Sequence, residues 1–378
     1  MDKNEKKPFN LSFIVTHECN LRCVYCYEHN RDNASLNAEQ IKVIVARYLN
    51  DEKFGDVQID FFGGEPWLKF QLIKGVCEWV WERPWKNNYL FFTTTNGTLI
   101  HGEIKEWLHK HKNRFWCGLS LDGTRETHNQ NRSNSFDKID LDFFLESWPK
   151  QTVKMTISPL SIGNFAEDII FIQKRGFLIA GTNFAEGIDW NDKKYLSIAS
   201  RELEKLVKFY LENTEYEVAQ ILDIPIEHCE SSKRTYKWCG TGDNMIMYDI
   251  DGEHYPCSFF TPMTFEKEKL SALEDMDFSD HSLFVDSYCA ENCYLFNVCS
   301  NCYGANYLVN GKLNERDKSR CNLVWLRAYY AAALQAQRII QKGNNIPESE
   351  KNKVGLQIRA IEKIKEICEK ELAPLFGK

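Results

Sequence analysis

The sequence predicts an α/β fold, a partial (β/α)6 TIM-type barrel followed by a cysteine-rich domain and C-terminal helices. Three observations lead there. Short apolar or alternating runs are followed, six times in succession, by stretches of helical period. This rhythm ends near Ile224, where glycine-punctuated, cysteine-rich sequence begins. Ten of the fourteen cysteines then fall into two groups, 19, 23 and 26 in one and 239, 257, 289, 293, 299, 302 and 321 in the other. Six strand–helix units in a row imply a parallel sheet with right-handed crossovers. They are too few to close a full eight-unit barrel, so an open one is expected, with a doubly wound sheet as the alternative.

Taken in order, strands are predicted over 9–15, 57–62, 89–94, 115–121, 152–157 and 177–184. Helices are predicted over 38–50, 68–82, 104–112, 138–148, 165–175 and 195–213. Beyond Cys321, 323–340 and 354–371 look helical, with a break at 343–347. The domains expected are a barrel over 9–225, a metal-folded domain over 226–325 and a helical segment over 326–378. The middle domain has too few apolar runs to build a core without metal.

Hydrophobic residues make up 43% of the 378 residues and aromatics 13%, which excludes general disorder. A formal charge of -7 with no basic stripe gives no reason to expect nucleic acid. The short charged start lacks a signal core, and no apolar run approaches the ~18 residues of a membrane span. A cytoplasmic protein without a membrane partner is expected, and its cysteines read as metal ligands rather than disulfides.

Four motifs fall on loops after successive strands, where barrels carry reactive groups. Cys19-Asn-Leu-Arg-Cys23-Val-Tyr-Cys26 follows the first, Gly63-Gly64-Glu65-Pro66 the second, Thr95-Asn96-Gly97 the third and Ser120-Leu-Asp122-Gly123 the fourth. Three cysteines leave one iron of a four-iron, four-sulfur cluster open to a small molecule, whereas electron carriers normally use four. Three thiolates with His17 or His29 could instead hold a structural zinc, although zinc ribbons usually use two separated pairs. Asp-Gly at 122–123 is equally well a plain turn. Cys77, Cys117 and Cys368 read as core, and Cys229 is an open question as a ligand.

The triplet spacing, with Tyr25 before its last cysteine, and the Gly-Gly-Glu-Pro one strand later resemble the radical S-adenosylmethionine (SAM) superfamily over roughly residues 9–225. The resemblance implies a 4Fe-4S cluster on Cys19, Cys23 and Cys26 whose open iron chelates S-adenosyl-L-methionine. Tyr25 would lie against the adenine. Gly63, Gly64, Glu65 and Pro66 would cradle the methionyl group, the glycines by close backbone approach and the carboxylate by accepting from the ammonium. Ser120 matches a position near the ribose, and Asn96 and Asp122 are weaker matches. The implied reaction is reductive cleavage to a 5'-deoxyadenosyl radical that abstracts a substrate hydrogen, with the protein positioning and excluding water.

Cys239, twelve residues, Gly252, four residues and Cys257 resemble the SPASM extension of that superfamily, which implies two auxiliary 4Fe-4S clusters. The second half departs. Gaps of three, five and two separate Cys289, Cys293, Cys299 and Cys302, where the family has two, five and three. Carried over with that departure, Cys289, Cys293, Cys299 and Cys321 hold one cluster, and Cys239, Cys257 and Cys302 the other. Zinc is again the alternative.

Such enzymes mostly modify peptides or proteins. Phe62 stands where anaerobic sulfatase maturases carry glutamine, and Ser258 where they place the aspartate proposed as base. That favours a maturase of ribosomally made precursor peptides forming a thioether or other crosslink, over formylglycine formation. The expected partners are a precursor peptide and an external electron donor of flavodoxin or ferredoxin type. Because the first strand starts at Phe9, leader recognition is expected from a separate leader-binding protein, from the C-terminal helices, or not at all. The rival of another class is a non-catalytic iron–sulfur electron carrier. No catalytic base is nominated, since Tyr27, Glu28 and His128 each have an ordinary structural explanation.

Overall fold

The computed structural model describes residues 8–149, 152–178, 180–234, 237–343 and 345–373. The charged start at 1–7, residue 179 of the predicted sixth strand, residue 344 of the predicted break and the final 374–378 lie outside them. The alternation of strand and helix follows the predicted order. It runs β1 (Phe9–Thr16), α1 (Ala38–Asn50), β2 (Val57–Gly63), α2 (Phe70–Trp81), β3 (Tyr89–Thr95), α3 (Gly102–His111) and β4 (Phe115–Leu119). Then come α4 (Arg125–Asn131), α5 (Leu141–Ser147), β5 (Val153–Ile157), α6 (Phe165–Lys174), β6 (Ala180–Phe184) and α7 (Lys193–Glu212). A short hairpin, β7 (Met245–Tyr248) and β8 (His254–Tyr255), precedes α8 (Lys267–Ser271), α9 (Ser287–Asn292), α10 (Tyr303–Asn310), α11 (Cys321–Lys342) and α12 (Glu348–Glu371). Among the described residues, no helix is long and apolar enough to cross a membrane.

The described chain divides into two compact units. The first is built from residues 8 to 121, from 132 to 149 and from 239 to 280. Its sheet has the order β4-β3-β2-β1-β7-β8, parallel throughout except for the β7–β8 hairpin. β1 lies inside the sheet and is buried from Leu11 through Thr16. This matches the near-continuous apolar run of a strand covered on both faces. Phe61, Phe91 and Phe115 stack across β2, β3 and β4, with ring centroids 5.8 Å apart for the first pair and 6.1 Å for the second. Trp67, Trp81 and Trp107 close over them. Cys77 and Cys117 are part of this core, fully buried.

The second unit comprises 122–131, 152–178, 180–234, 237–238, 281–343 and 345–373. β5 and β6 pair in parallel there. Phe165, Phe184 and Trp190 form one core cluster, and α11 packs against both α7 and α12. Cys368 is buried in α12.

A polar knot in this unit joins the Asp-Gly turn to β5 and α6. Asp122 accepts from the Thr156 amide at 3.1 Å and from Asn131 Nδ2 at 3.1 Å, and Asp168 accepts from the Thr124 amide at 2.8 Å. All of Asp122, Asn131, Ser158, Ser161 and Asp168 are fully buried. Gly123, at φ +110, is pressed so close that a Cβ would stand 2.1 Å from the Asp168 Cβ. Burial pushes the Asp168 carboxyl up to about 7 against the hydrogen bonds from Thr124 and Thr127, and the Asp122 charge adds to the rise. The native state therefore keeps a proton that the unfolded chain releases near pH 4. Stability from this group is full below pH 4 and lost as pH rises through about 7. Asp168→Asn keeps the Oδ1 acceptor and removes the proton exchange. Between pH 5 and pH 8 the variant is expected to gain roughly 3 kcal/mol relative to wild type, read by urea unfolding at both pH values. Parallel stability curves for the two proteins would refute the assignment.

Candidate active site

β1 delivers its chain into the cysteine loop, and the loop is fixed from several sides within the first unit. The Gly64 and Glu65 amides donate to the Thr16 and Glu18 carbonyls at 3.0 and 2.9 Å. A Cβ on Gly63 would stand 2.2 Å from the Thr16 oxygen, and one on Gly64 2.3 Å from the Glu18 oxygen. The two glycines thus serve a backbone-on-backbone contact with the cysteine loop, a use the sequence did not reveal. Further along, the Cys26 amide donates to the Cys23 carbonyl at 3.2 Å. The His29 and Asn30 amides donate to the Met263 carbonyl at 2.9 and 3.0 Å, and Tyr27 stacks on Phe259 with centroids 4.6 Å apart.

Glu65 is the hub of the rim. Its side chain, 1% exposed, accepts from the Trp67 amide at 3.2 Å, from Thr95 Oγ1 at 2.8 Å and from the Asn96 amide at 2.8 Å. Pro66 opens the single helical turn that Glu65 caps, where its missing N–H is not needed. Asn96 donates in turn to Asn20 Oδ1 at 2.8 Å, and Asn20 to Thr98 Oγ1 at 2.8 Å. Loops after β1, β2 and β3 are therefore one hydrogen-bonded assembly. The Ser120 amide joins it by donating to the Thr95 carbonyl at 2.9 Å. Burial pushes Glu65 up to about 7, opposed by the Asn96, Thr95 and Trp67 hydrogen bonds and by the Arg132 charge. Three of the four acceptor positions of the carboxylate are taken by the protein.

Two arginines stand at the triplet. Arg31 Nη2 donates to Cys26 Sγ at 2.7 Å, and Arg132 Nη1 is 4.0 Å from Cys23 Sγ with its guanidinium 5.4 Å from the Tyr25 ring centroid. Burial raises the Cys19 thiol. Behind the loop, His17 is held by Asp249 at 2.7 Å on Nε2 and by Asp32 at 3.1 Å on Nδ1. Burial pulls His17 down, but the hydrogen bond and charge of Asp249, with those of Asp32, outweigh it and leave His17 raised. Glu28 is buried and pushed up to about 7 by that burial. His128 takes a structural role in the second unit, its Nδ1 accepting from the Asp122 amide at 3.3 Å.

Cys239 and Cys257 flank the β7–β8 hairpin in the first unit. Gly252, at φ +82, makes its turn and donates to the Asp249 carbonyl at 2.9 Å. Cys257 is raised by burial, lowered by Thr241 and the Phe259 and Phe260 amides, and raised again by the neighbouring Cys239. Phe62 packs on Ile14, Met247 and Met263, so an apolar ring fills that position.

In the second unit Cys289, Cys293, Cys299, Cys302 and Cys321 line one cavity of about 300 Å³. Asp286 caps α9 by accepting from the Cys289 amide at 2.9 Å, Cys302 stands just before α10, and Cys321 begins α11. Burial raises the Cys289 thiol to about 12 and the Cys321 thiol to about 11. The Cys229 thiol, also raised by burial, senses Cys293. Among the described residues, no group of three or more His, Cys, Asp or Glu side chains is close enough to hold one metal ion. The thiols ring a cavity, and cations accompany both sets. That donor chemistry fits iron–sulfur clusters, whose thiolates bring negative charge to be offset.

Asn20, Thr98, Arg31, Arg132 and Asp249 went unsingled in the sequence. Only their three-dimensional partners mark them, although Arg31 follows Cys26 closely enough to have been suspected. The loops at the strand ends of the parallel sheet gather the cysteine triplet, Glu65 and Asn96 into one hydrogen-bonded rim. Residues 13–140 match the model of the Radical SAM superfamily. The cysteine-type anaerobic sulfatase-maturating enzyme of Clostridium perfringens is 26% identical over 287 residues, covering 68% of this chain and 75% of that protein. The antilisterial bacteriocin subtilosin biosynthesis protein AlbA of Bacillus subtilis is 25% identical over 344 residues, covering 82% and 72%. Native anSMEcpe with bound AdoMet and Kp18Cys peptide shares the fold at a TM-score of 0.66 and 20% identity, covering 90% of this chain and all of that one. Residues 13–140 thus carry a radical SAM domain, and a cysteine-rich, SPASM-like C-terminal region follows it.

Proposed function

We propose that the enzyme takes a hydrogen from a ribosomally made precursor peptide and forms a thioether or other crosslink. The observation that carries the catalytic part is the hydrogen-bonded rim that joins the cysteine triplet to Glu65 and Asn96. When bound, a 4Fe-4S cluster and S-adenosyl-L-methionine supply a 5'-deoxyadenosyl radical by one-electron reductive cleavage. Cys19, Cys23 and Cys26 would hold that cluster, with Arg31 and Arg132 offsetting thiolate charge. Tyr25, Gly63, Gly64, Glu65, Pro66, Asn96 and Ser120 would line the cofactor site. Glu65 orients the rim and leaves one acceptor position for an ammonium. Cys289, Cys293, Cys299 and Cys321 would hold one auxiliary cluster, and Cys239, Cys257 and Cys302 the other, giving three clusters in all. The electron comes from an external donor of flavodoxin or ferredoxin type, in the cytoplasm, and a separate leader-binding protein would present the peptide.

The peptide substrate is inferred from the similarity to a bacteriocin biosynthesis protein and to a peptide-bound maturase. Anaerobic incubation of reconstituted enzyme with dithionite and S-adenosyl-L-methionine tests the first half, and release of 5'-deoxyadenosine is expected. Co-incubation with a candidate precursor should remove two hydrogens per crosslink by mass. A protein that cleaves no cofactor under these conditions is an electron carrier instead. The sulfatase-maturase relatives favour a second reading, formylglycine formation, testable with a sulfatase-derived cysteine peptide. Phe62, partly buried against Ile14, Met247 and Met263, and Ser258 after Cys257 count against it. Cys321→Ala is expected to lower iron content and abolish peptide product while cofactor cleavage continues. Unchanged iron would remove Cys321 from the ligand set.

A further inference from the structure

Arg316 lines the five-thiol cavity and is 7% exposed. Its backbone amide donates to Asp286 Oδ2 at 3.0 Å, its Nη1 donates to the Cys299 carbonyl at 3.3 Å, and its guanidinium lies 4.7 Å from the Phe296 ring centroid. Nε is buried and has no hydrogen-bond partner. Among the described residues, no carboxylate is ion-paired with the guanidinium. The two other arginines on the cavity differ, since Arg320 is paired with Glu186 and Arg327 donates to the Ile221 carbonyl at 3.1 Å and the Gln220 carbonyl at 3.4 Å. The Asp317 carboxylate also borders the cavity; its Oδ1 caps the turn at Ser319, and its buried Oδ2, like Arg316 Nε, has no hydrogen-bond partner among the described residues. A buried cation without a counter-ion and with an idle donor is costly, and protein structures seldom leave one. Here the groups able to supply both the negative charge and the acceptor are thiolate and sulfide sulfurs.

We propose that Arg316 gives its Nε–H and its positive charge to a sulfur of the auxiliary cluster held by Cys289, Cys293, Cys299 and Cys321, and thereby sets that cluster's reduction potential. The proposal rests on the auxiliary-cluster assignment above and adds the residue that tunes it. A cation beside a cluster favours its reduced form, so removing the cation lowers the potential.

Reconstituted full-length wild type, Arg316→Gln and Arg316→Lys are compared by iron and sulfide analysis and by EPR-monitored redox titration. Arg316→Gln is expected to shift one auxiliary cluster's reduction equilibrium at least tenfold towards the oxidised form, which is 59 mV for one electron. Arg316→Lys keeps the charge and is expected to shift it less, while the SAM-cleaving cluster keeps its potential. Full iron content with unchanged auxiliary potentials in Arg316→Gln overturns the proposal. Where Arg316→Gln loads less iron, the auxiliary potential of the fraction that does load decides. A shift of at least tenfold supports the proposal, and an unchanged potential overturns it. Wild-type protein without auxiliary iron would instead overturn the cluster assignment itself, which the iron count reveals before any variant is made.

Discussion

Replacing Cys23 with alanine is expected to abolish release of 5'-deoxyadenosine while leaving most of the auxiliary iron in place. The loop does not depend on the Cys23 side chain for its shape. Its course is set by backbone bonds, including the Arg22 amide to Ser133 Oγ at 2.9 Å and the Cys26 amide to the Cys23 carbonyl at 3.2 Å, which alanine preserves. What alanine removes is one of three sulfur donors. Two thiolates cannot retain a four-iron cluster that already lacks a fourth protein ligand. The folded protein should therefore persist with its radical chemistry gone, because every later step depends on the first homolysis. Chromatography of the nucleoside product, alongside iron analysis, reads both parts. A variant that still cleaves the cofactor would show that the triplet is not the site.

Glu65→Ala is expected to cost about 3–6 kcal/mol of stability, since the Trp67 amide, the Thr95 hydroxyl and the Asn96 amide would each be buried without an acceptor. Glu65→Gln should cost about 1–3 kcal/mol. Both donors on Oε1 keep an acceptor, but the new amide nitrogen faces the Asn96 N–H that Oε2 served. Cofactor cleavage should fall in the same order, because loss of the hub frees Asn96 and with it the tie to Asn20 inside the cysteine loop. Denaturant midpoints measure the first effect and nucleoside release the second. An alanine variant with the wild-type midpoint would mean that solvent reaches these groups.

The strand–helix alternation and the placement of motifs on strand ends were legible because both are local. β1, β2 and β3 each end within one residue of the predicted limit, and apolar runs report burial directly. Other features escaped for definite reasons. α4 spans seven residues, Arg-Glu-Thr-His-Asn-Gln-Asn, with no apolar period to announce it. The β7–β8 hairpin has strands of four and two residues, and its β7 finds its partner in β1, more than two hundred positions earlier. β4 proved two residues shorter than expected, ending at Leu119, because the following residues turn into the Ser120 to Gly123 motif. β6 begins at Ala180, since Gly176 closes the preceding helix at φ +113. The close approach of Gly63 and Gly64 to the carbonyls of Thr16 and Glu18 joins two loops distant in sequence, and no local pattern states such a contact. Contacts such as His17 with Asp249 join residues with no periodic relation.

The pairing of β7 with β1 has an evolutionary consequence. Asn10 through Phe13 on the strand that leads into the cysteine triplet are laddered to Met245 through Tyr248 of the hairpin that Cys239 and Cys257 bracket. Such a hairpin is no cassette that recombination could clip off and replace. Its loss would bare the edge of β1, whose unpaired N–H and C=O groups invite pairing with other chains. Lineages inheriting this architecture are therefore expected to vary the thiol-bearing hairpin by point substitution and loop length, keeping the ladder itself, rather than by wholesale exchange.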